Sequence, residues 1–203
     1  MIDKNTKLNN EFNKSFHEVY LKPSKVNKFL RKYSNEVERK IKKRFLDLDL
    51  DKNFVIYANG GFGRKEIFPI SDIDISIVEK NKSNNFKNLE EFISYLWDQG
   101  YKVGHSVRSI SDIKKISKKD IREFTSYLTR RPIISTNEMD NKINYALSEL
   151  WSKNNFYNTK FIEQQQRHSK FFSTAFNLEP DLKESPGAGS YTHLRAHETM
   201  SNL

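Results

Sequence analysis

Asn59-Gly-Gly-Phe-Gly-Arg-Lys-Glu-Ile-Phe-Pro-Ile-Ser-Asp-Ile-Asp-Ile-Ser-Ile-Val78 decides how this chain is read, because a glycine turn and two carboxylates fall there at a spacing chemistry can use. Just before it, residues 54–58 (Phe-Val-Ile-Tyr-Ala) form a short apolar run bounded by Asn-Gly-Gly, which reads as a buried strand feeding a tight turn. Gly60, Gly61 and Gly63 carry no Cβ, so the backbone there can come close to a ligand, and phosphate is the natural guest. After Pro69, residues 72–78 alternate polar and apolar with period two. Asp72 and Asp74 therefore project from one face of one strand, roughly 6.5–7 Å apart along it. Carboxylates so placed can grip Mg²⁺, which holds a triphosphate and activates an attacking oxygen. Taken singly, the glycines also fit an ordinary turn and the aspartates a solvated strand edge.

The composition narrows the classes. A chain of 203 residues and 24.0 kDa has room for one α/β domain with flanking helices, and needs no staples to form a core. Charged residues make up 30% and mean hydropathy is −0.79, yet 15 Phe and 9 Tyr supply bulky apolar surface. The absence of cysteine excludes disulfides, thiolate metal sites and a cysteine nucleophile. No apolar run approaches ~18 residues and no signal-peptide pattern opens the chain, so the expectation is a cytoplasmic protein without a membrane partner. The net charge of +9 is spread as Lys among Asn and Ile rather than gathered in an arginine-rich block or interleaved with aromatics. It reads as a solvated basic surface, with no nucleic acid as partner.

Outward from the central stretch, periodicity sets the flanks. Val26, Phe29, Leu30, Tyr33, Val37, Ile41 and Phe45 recur at three and four, predicting a helix over 24–46 with Ser24 as N-cap. A helix over 86–97 follows the polar loop 79–85, and Gly100 ends it. Residues 101–108 alternate as a third strand, with Tyr101, Val103, His105 and Val107 on one face and Lys102, Gly104, Ser106 and Arg108 on the other. His105 reads as a packed core residue in preference to a general base. Arg64 and Arg108 are placed to meet phosphate, and Glu66 to orient Arg64 through an ion pair. One or two short basic helices fill 111–131, with Arg130-Arg131-Pro132 as a stop, and helices follow over 137–150 and 156–176. The expected fold class is α/β of the α+β type: a small mixed β-sheet with flanking helices. Its expected parts are a helical segment over 1–52, a core over 53–135, a second helical segment over 136–187, and a tail over 188–203.

The order strand, Gly-Gly, Asp-Ile-Asp strand resembles the signature of the DNA polymerase β-like nucleotidyltransferase superfamily. The fuller string over 60–74 is similar to the enzymes that uridylylate and deuridylylate the PII nitrogen-signalling protein, and the likeness extends from about Ile56 to Gly187. It implies transfer of UMP from UTP to a tyrosine of PII, with Asp72 and Asp74 as catalytic metal ligands, Mg²⁺ as cofactor, and Gly60, Gly61, Gly63, Arg64, Ser71 and Arg108 at the nucleotide. The superfamily's usual third carboxylate overlays Gly104 here, leaving Asp98 and Glu79 as alternatives or no third ligand. The likeness of residues 177–187 implies that Asp181 and Lys183 face the nucleotide, while the residues by themselves equally fit a plain helix with a polar cap. Adenylyl transfer to glutamine synthetase, nucleotidyl transfer to tRNA, and a non-catalytic nucleotide- or PII-binding module are the alternatives.

At Ala188 the resemblance stops. Residues 190–199 (SYTHLRAHET) read like the translation of a transposon-based sequencing adapter, so 188–203 is expected to be a non-native, disordered tail, and His193 and His197 incidental despite their i, i+4 spacing. A chain cut at that point is expected to bind nucleotide weakly and to transfer little.

Overall fold

The computed structural model describes residues 23–69, 71–80 and 86–170. The expectations for residues 1–22, for Asp181 and Lys183, and for the tail lie outside them. The chain divides into two compact units. Described residues up to Ile110 join Arg130–Lys142 in the first, and Ser111–Thr129 joins the residues from Ile143 onward in the second.

The first unit is built on a four-stranded mixed sheet in the order β3-β2-β1-β4. Helix α1 (Pro23–Asp47) and a single turn at Leu50–Lys52 lead into β1 (Phe54–Ala58). The glycine turn follows as the four-residue helix α2 (Gly60–Gly63), then β2 (Ile73–Glu79), α3 (Phe86–Asp98) and β3 (Val103–Arg108). Strand β1 runs antiparallel to β2 and β4, whereas β2 and β3 are parallel. The α3 crossover makes that parallel pairing possible.

One face of the sheet is closed by packing. Ile73, Ile75 and Ile77 of β2 and Phe54, Ile56 and Ala58 of β1 share a core with Tyr33, Val37, Ile41 and Phe45 of α1 and Leu89, Phe92, Ile93 and Leu96 of α3. Phe45 meets Phe92 edge-on at 5.3 Å, a favoured aromatic geometry. Both helices carry apolar residues at three- and four-residue spacing, so each buries one stripe and leaves most of its charged residues toward water. Arg44 and Glu91 join the outer surfaces of the two helices at 2.6 Å.

Arg131 to Ile134 form β4, an edge strand on β1, where the sequence suggested a helix stop. Proline 132 removes one donor, which an edge strand tolerates, and the register with β1 shifts beside it, between Ile56 and Tyr57. His105 is also not the packed residue expected. Strand β3 is the other edge, His105 is exposed, and its ring stands edge-on to the half-exposed Trp97 at 6.0 Å.

In the second unit, α4 (Ile110–Lys119) and α5 (Ile121–Leu128) are separated by Asp120, whose carboxylate accepts from Arg122 N and caps α5. Helix α6 (Asn137–Ser148) begins in the first unit, and α7 (Lys153–Ser169) closes the described chain. Trp151 donates its indole N–H to the Ser117 carbonyl at 2.8 Å, and Phe124 packs against both Trp151 and Phe156. No helix of the described residues is long and apolar enough to cross a membrane.

Candidate functional site

The glycine turn and the carboxylate strand meet at one end of the sheet. Strand β1 ends at Ala58, paired with Ile75, and Asn59 donates its backbone N–H to the Asp74 carbonyl at 2.9 Å. The chain then winds a single turn: Gly63 N reaches Asn59 O at 2.8 Å, Arg64 N reaches Gly60 O at 3.2 Å, and Glu66 N reaches Gly61 O at 2.8 Å. Gly60 adopts φ +53°, a left-handed conformation a side chain would oppose. Phe62, fully buried, pins the turn into the core that α1 and α3 share.

Asp72 and Asp74 are both exposed, while Ile73 and Ile75 between and beyond them are buried, so the two carboxylates share the open face of the strand. Asp74 stands beside the turn: a Cβ on Gly60 would lie 3.0 Å from its Oδ2. Gly104, its partner across the β2–β3 pairing, lies on the other side, where a Cβ would come within 2.6 Å of Oδ1. The position at which a third carboxylate was considered is therefore filled by the Asp74 side chain itself. Glu79 ends β2 five residues further on and on the opposite face, and Asp98 ends α3, which packs against that opposite face. Among the described residues no three His, Cys, Asp or Glu side chains come together in a group fit for a metal. Two exposed carboxylates on one face do suit a hard cation that keeps water and phosphate oxygens as its remaining ligands.

The remaining expected site residues distribute as follows. Arg64 follows the turn and pairs with Glu66 at 2.8 Å, as the sequence suggested. Ser71 lies one residue before Asp72; its hydroxyl accepts from Phe68 N at 3.2 Å and its own N–H reaches Phe68 O, closing the loop into β2. Arg108 shares the Asp74 face but stands four residues along β3 from Gly104, about 13 Å at strand rise. His105 pairs with Ile75 and points to the opposite face.

Two features were missed by sequence reasoning. Arg131 in β4 donates from Nε to Gly63 O at 2.8 Å and from Nη2 to Phe62 O at 3.3 Å, while Nη1 meets Glu38 of α1 at 2.8 Å. One guanidinium thus ties the end of the glycine turn to α1, from a position 68 residues along the chain. Its fork of donors suits two carbonyls and a carboxylate at once. Behind Asp74, the Asn59 amide donates to the Ser76 hydroxyl, and Tyr57 shares its hydroxyl with Ser135 and the Asp140 carboxylate, each at 2.7 Å. Burial, and then the hydrogen bond to Asp140, push the Tyr57 hydroxyl well above the ordinary tyrosine range. The only signal for these contacts was the presence of polar residues at strand positions, and it does not name their partners.

A small mixed sheet that brings a glycine turn against paired strand carboxylates is a nucleotidyltransferase-like arrangement. The comparisons give the proteins this chain is similar to. A model of the GlnD PII-uridylyltransferase family matches residues 155–189. The bifunctional uridylyltransferase/uridylyl-removing enzyme of Aliivibrio fischeri (strain MJ11) is 36% identical over 148 residues, 71% of this chain and 17% of that protein. The enzyme of the same description from Haemophilus influenzae (strain PittEE) is 39% identical over 143 residues, 68% of this chain and 17% of that protein. The one from Hydrogenovibrio crunogenus is 32% identical over 196 residues, 91% of this chain and 22% of that protein. This chain is similar to the bifunctional uridylyltransferase/uridylyl-removing enzymes over most of its own length and spans about a fifth of theirs. Among solved structures, one titled "Crystal structure of the toxin-antitoxin with AMP-PNP" aligns with TM-score 0.38 and 15% identity, over 64% of this chain and 98% of that chain.

Proposed function

We propose that this chain carries the nucleotidyl-transfer site of a cytoplasmic uridylyltransferase, which moves UMP from UTP to a tyrosine hydroxyl of a PII nitrogen-regulatory protein and releases pyrophosphate. The observation that carries the reading is the seating of the Asp74 carboxylate against Gly60 of the turn, within 3.0 Å of where a Cβ would stand. An acidic group beside backbone that can approach a ligand closely is what a metal-bridged triphosphate requires. The relatives' descriptions name uridylyl transfer and the matching family model names PII, while UTP and the tyrosine acceptor rest on the resemblance of residues 56–187.

In this reading Asp72 and Asp74 hold Mg²⁺, and Gly60, Gly61, Gly63 and Ser71 line the triphosphate. Arg64 and Arg108 add positive charge along it. Bound magnesium supplies charge neutralisation on the phosphate oxygens. The tyrosine hydroxyl gives up its proton to water as its oxygen forms a bond to the α-phosphorus, the bond from that phosphorus to the bridging oxygen breaks, and pyrophosphate leaves with the electron pair. The chain's own part is to fix those groups in line, by the buried Phe62 under the turn and by Arg131 across its carbonyls.

The test offers α-labelled UTP with Mg²⁺ and, in parallel, a PII protein, glutamine synthetase or tRNA to the full-length protein. Label on PII that disappears in Asp72→Asn and Asp74→Asn is expected. Label on tRNA, or preference for ATP with glutamine synthetase, would transfer the assignment to those chemistries. Nucleotide binding with no labelled acceptor would make this a non-catalytic module.

A further inference from the structure

The Asp74 carboxylate occupies a slot between two glycines that come from different elements. Oδ2 faces the missing side chain of Gly60 and Oδ1 that of Gly104, at 3.0 and 2.6 Å from where each Cβ would stand. The two glycines are not equivalent. Gly60 also needs its left-handed backbone, so its identity is already explained by the turn. Gly104 makes no such demand, since it sits in the regular register of β3 at a conformation open to other residues. Among the described residues, apart from its neighbours in the chain, the atoms within 4 Å of a Cβ at Gly104 are Oδ1 and Cγ of Asp74. A glycine weakens a strand, and here the space it leaves is used by one carboxylate.

We infer that Gly104 is a positioning residue: together with Gly60 it leaves the room in which the Asp74 carboxylate takes the orientation that presents its oxygens to a divalent cation. The inference rests on the reading of Asp72 and Asp74 as a cation site and adds a residue that touches no substrate. An aspartate on an open strand face can turn about two side-chain torsions. The two glycines leave open the orientation that lies between them, which a side chain at either position would block, so no rearrangement of the carboxylate is needed when the cation arrives. A methyl group at 104 leaves the backbone unstrained and forces the carboxylate to rotate out of the slot.

Mn²⁺ serves as the probe, titrated into the full chain by calorimetry and by loss of the free-ion electron paramagnetic signal, with thermal melts in parallel. The unsubstituted chain is expected to bind Mn²⁺, and Asp74→Asn to abolish binding. Gly104→Ala is expected to weaken binding by about 10–100-fold, the range for groups that orient a ligand rather than contact the metal. Whatever melting shift Gly104→Ala causes should vanish when Asp74→Ala is already present, because the collision partner is gone. Mn²⁺ binding that ignores Asp74→Asn, or no binding at all, would remove the cation-site reading. Binding that depends on Asp74 but is unchanged by Gly104→Ala would overturn the inference alone. So would a Gly104→Ala melting shift that persists undiminished in the Asp74→Ala background, even if the single variant folds poorly.

Discussion

Ile73, Ile75 and Ile77 on one face of β2 and Asp72 and Asp74 on the other sit in opposite surroundings. The isoleucines are fixed by what surrounds them, a core shared with α1 and α3 in which each is at most 2% exposed. The Asp74 oxygens occupy space that two glycines leave open. Both arrangements occupy consecutive residues of one strand. Stability thus comes from one face and chemistry from the other, and a substitution on either should affect its own property first.

The largest expected effect lies on the open face. Asp74→Asn should lower uridylyl transfer by about 10³-fold, the scale of losing one electrostatic contact to developing charge, with little change in melting temperature. Substantial unfolding in that variant would break the separation of the two faces. The converse substitution, Phe92→Ala, removes a fully buried ring that meets Phe45 edge-on. It should cost about 3–5 kcal/mol in denaturant unfolding, the usual range for a large-to-small change in a core.

Tyr57→Phe probes the polar network behind the site and should cost about 1 kcal/mol, since Ser135 and Asp140 retain their bond to each other. It also carries a pH signature. Burial and Asp140 raise the Tyr57 hydroxyl above its ordinary value in the folded chain. The stabilisation of its neutral form is therefore complete below about pH 10 and is lost as pH rises toward the folded value. A melting series above pH 10 should fall less steeply for Tyr57→Phe than for the unsubstituted chain. The smallest effect is expected for His105→Ala. Its ring is exposed on the edge strand, on the face opposite Asp74, so transfer and stability should each shift by no more than about 0.5 kcal/mol.

The contrast between faces also explains what the sequence revealed. Strands 54–58 and 73–79 were legible because burial on one or both sides imposes a pattern on consecutive residues, and α1 because its apolar stripe recurs over six turns. The aspartate pair was legible for the same reason, as the polar half of an alternation. Strand β4 was not, because four residues with a proline at an edge carry no burial pattern of their own, and two arginines before a proline also fit a helix stop. His105 misled because apolar neighbours in sequence suggest a core, while an edge strand leaves them half-covered. Arg131 and Gly104 act across 68 and 30 residues of chain, so their roles became visible only once the sheet order and register were known.

The measurement that tests the central claim most directly is the anomalous scattering of Mn²⁺ in crystals of the protein grown with a non-hydrolysable UTP analogue. The expected result is a peak within coordination distance of carboxylate oxygens from both Asp72 and Asp74, with the analogue's phosphates beside Gly60 and Gly61. A peak that contacts neither aspartate, or a triphosphate bound away from the glycine turn, would contradict the account.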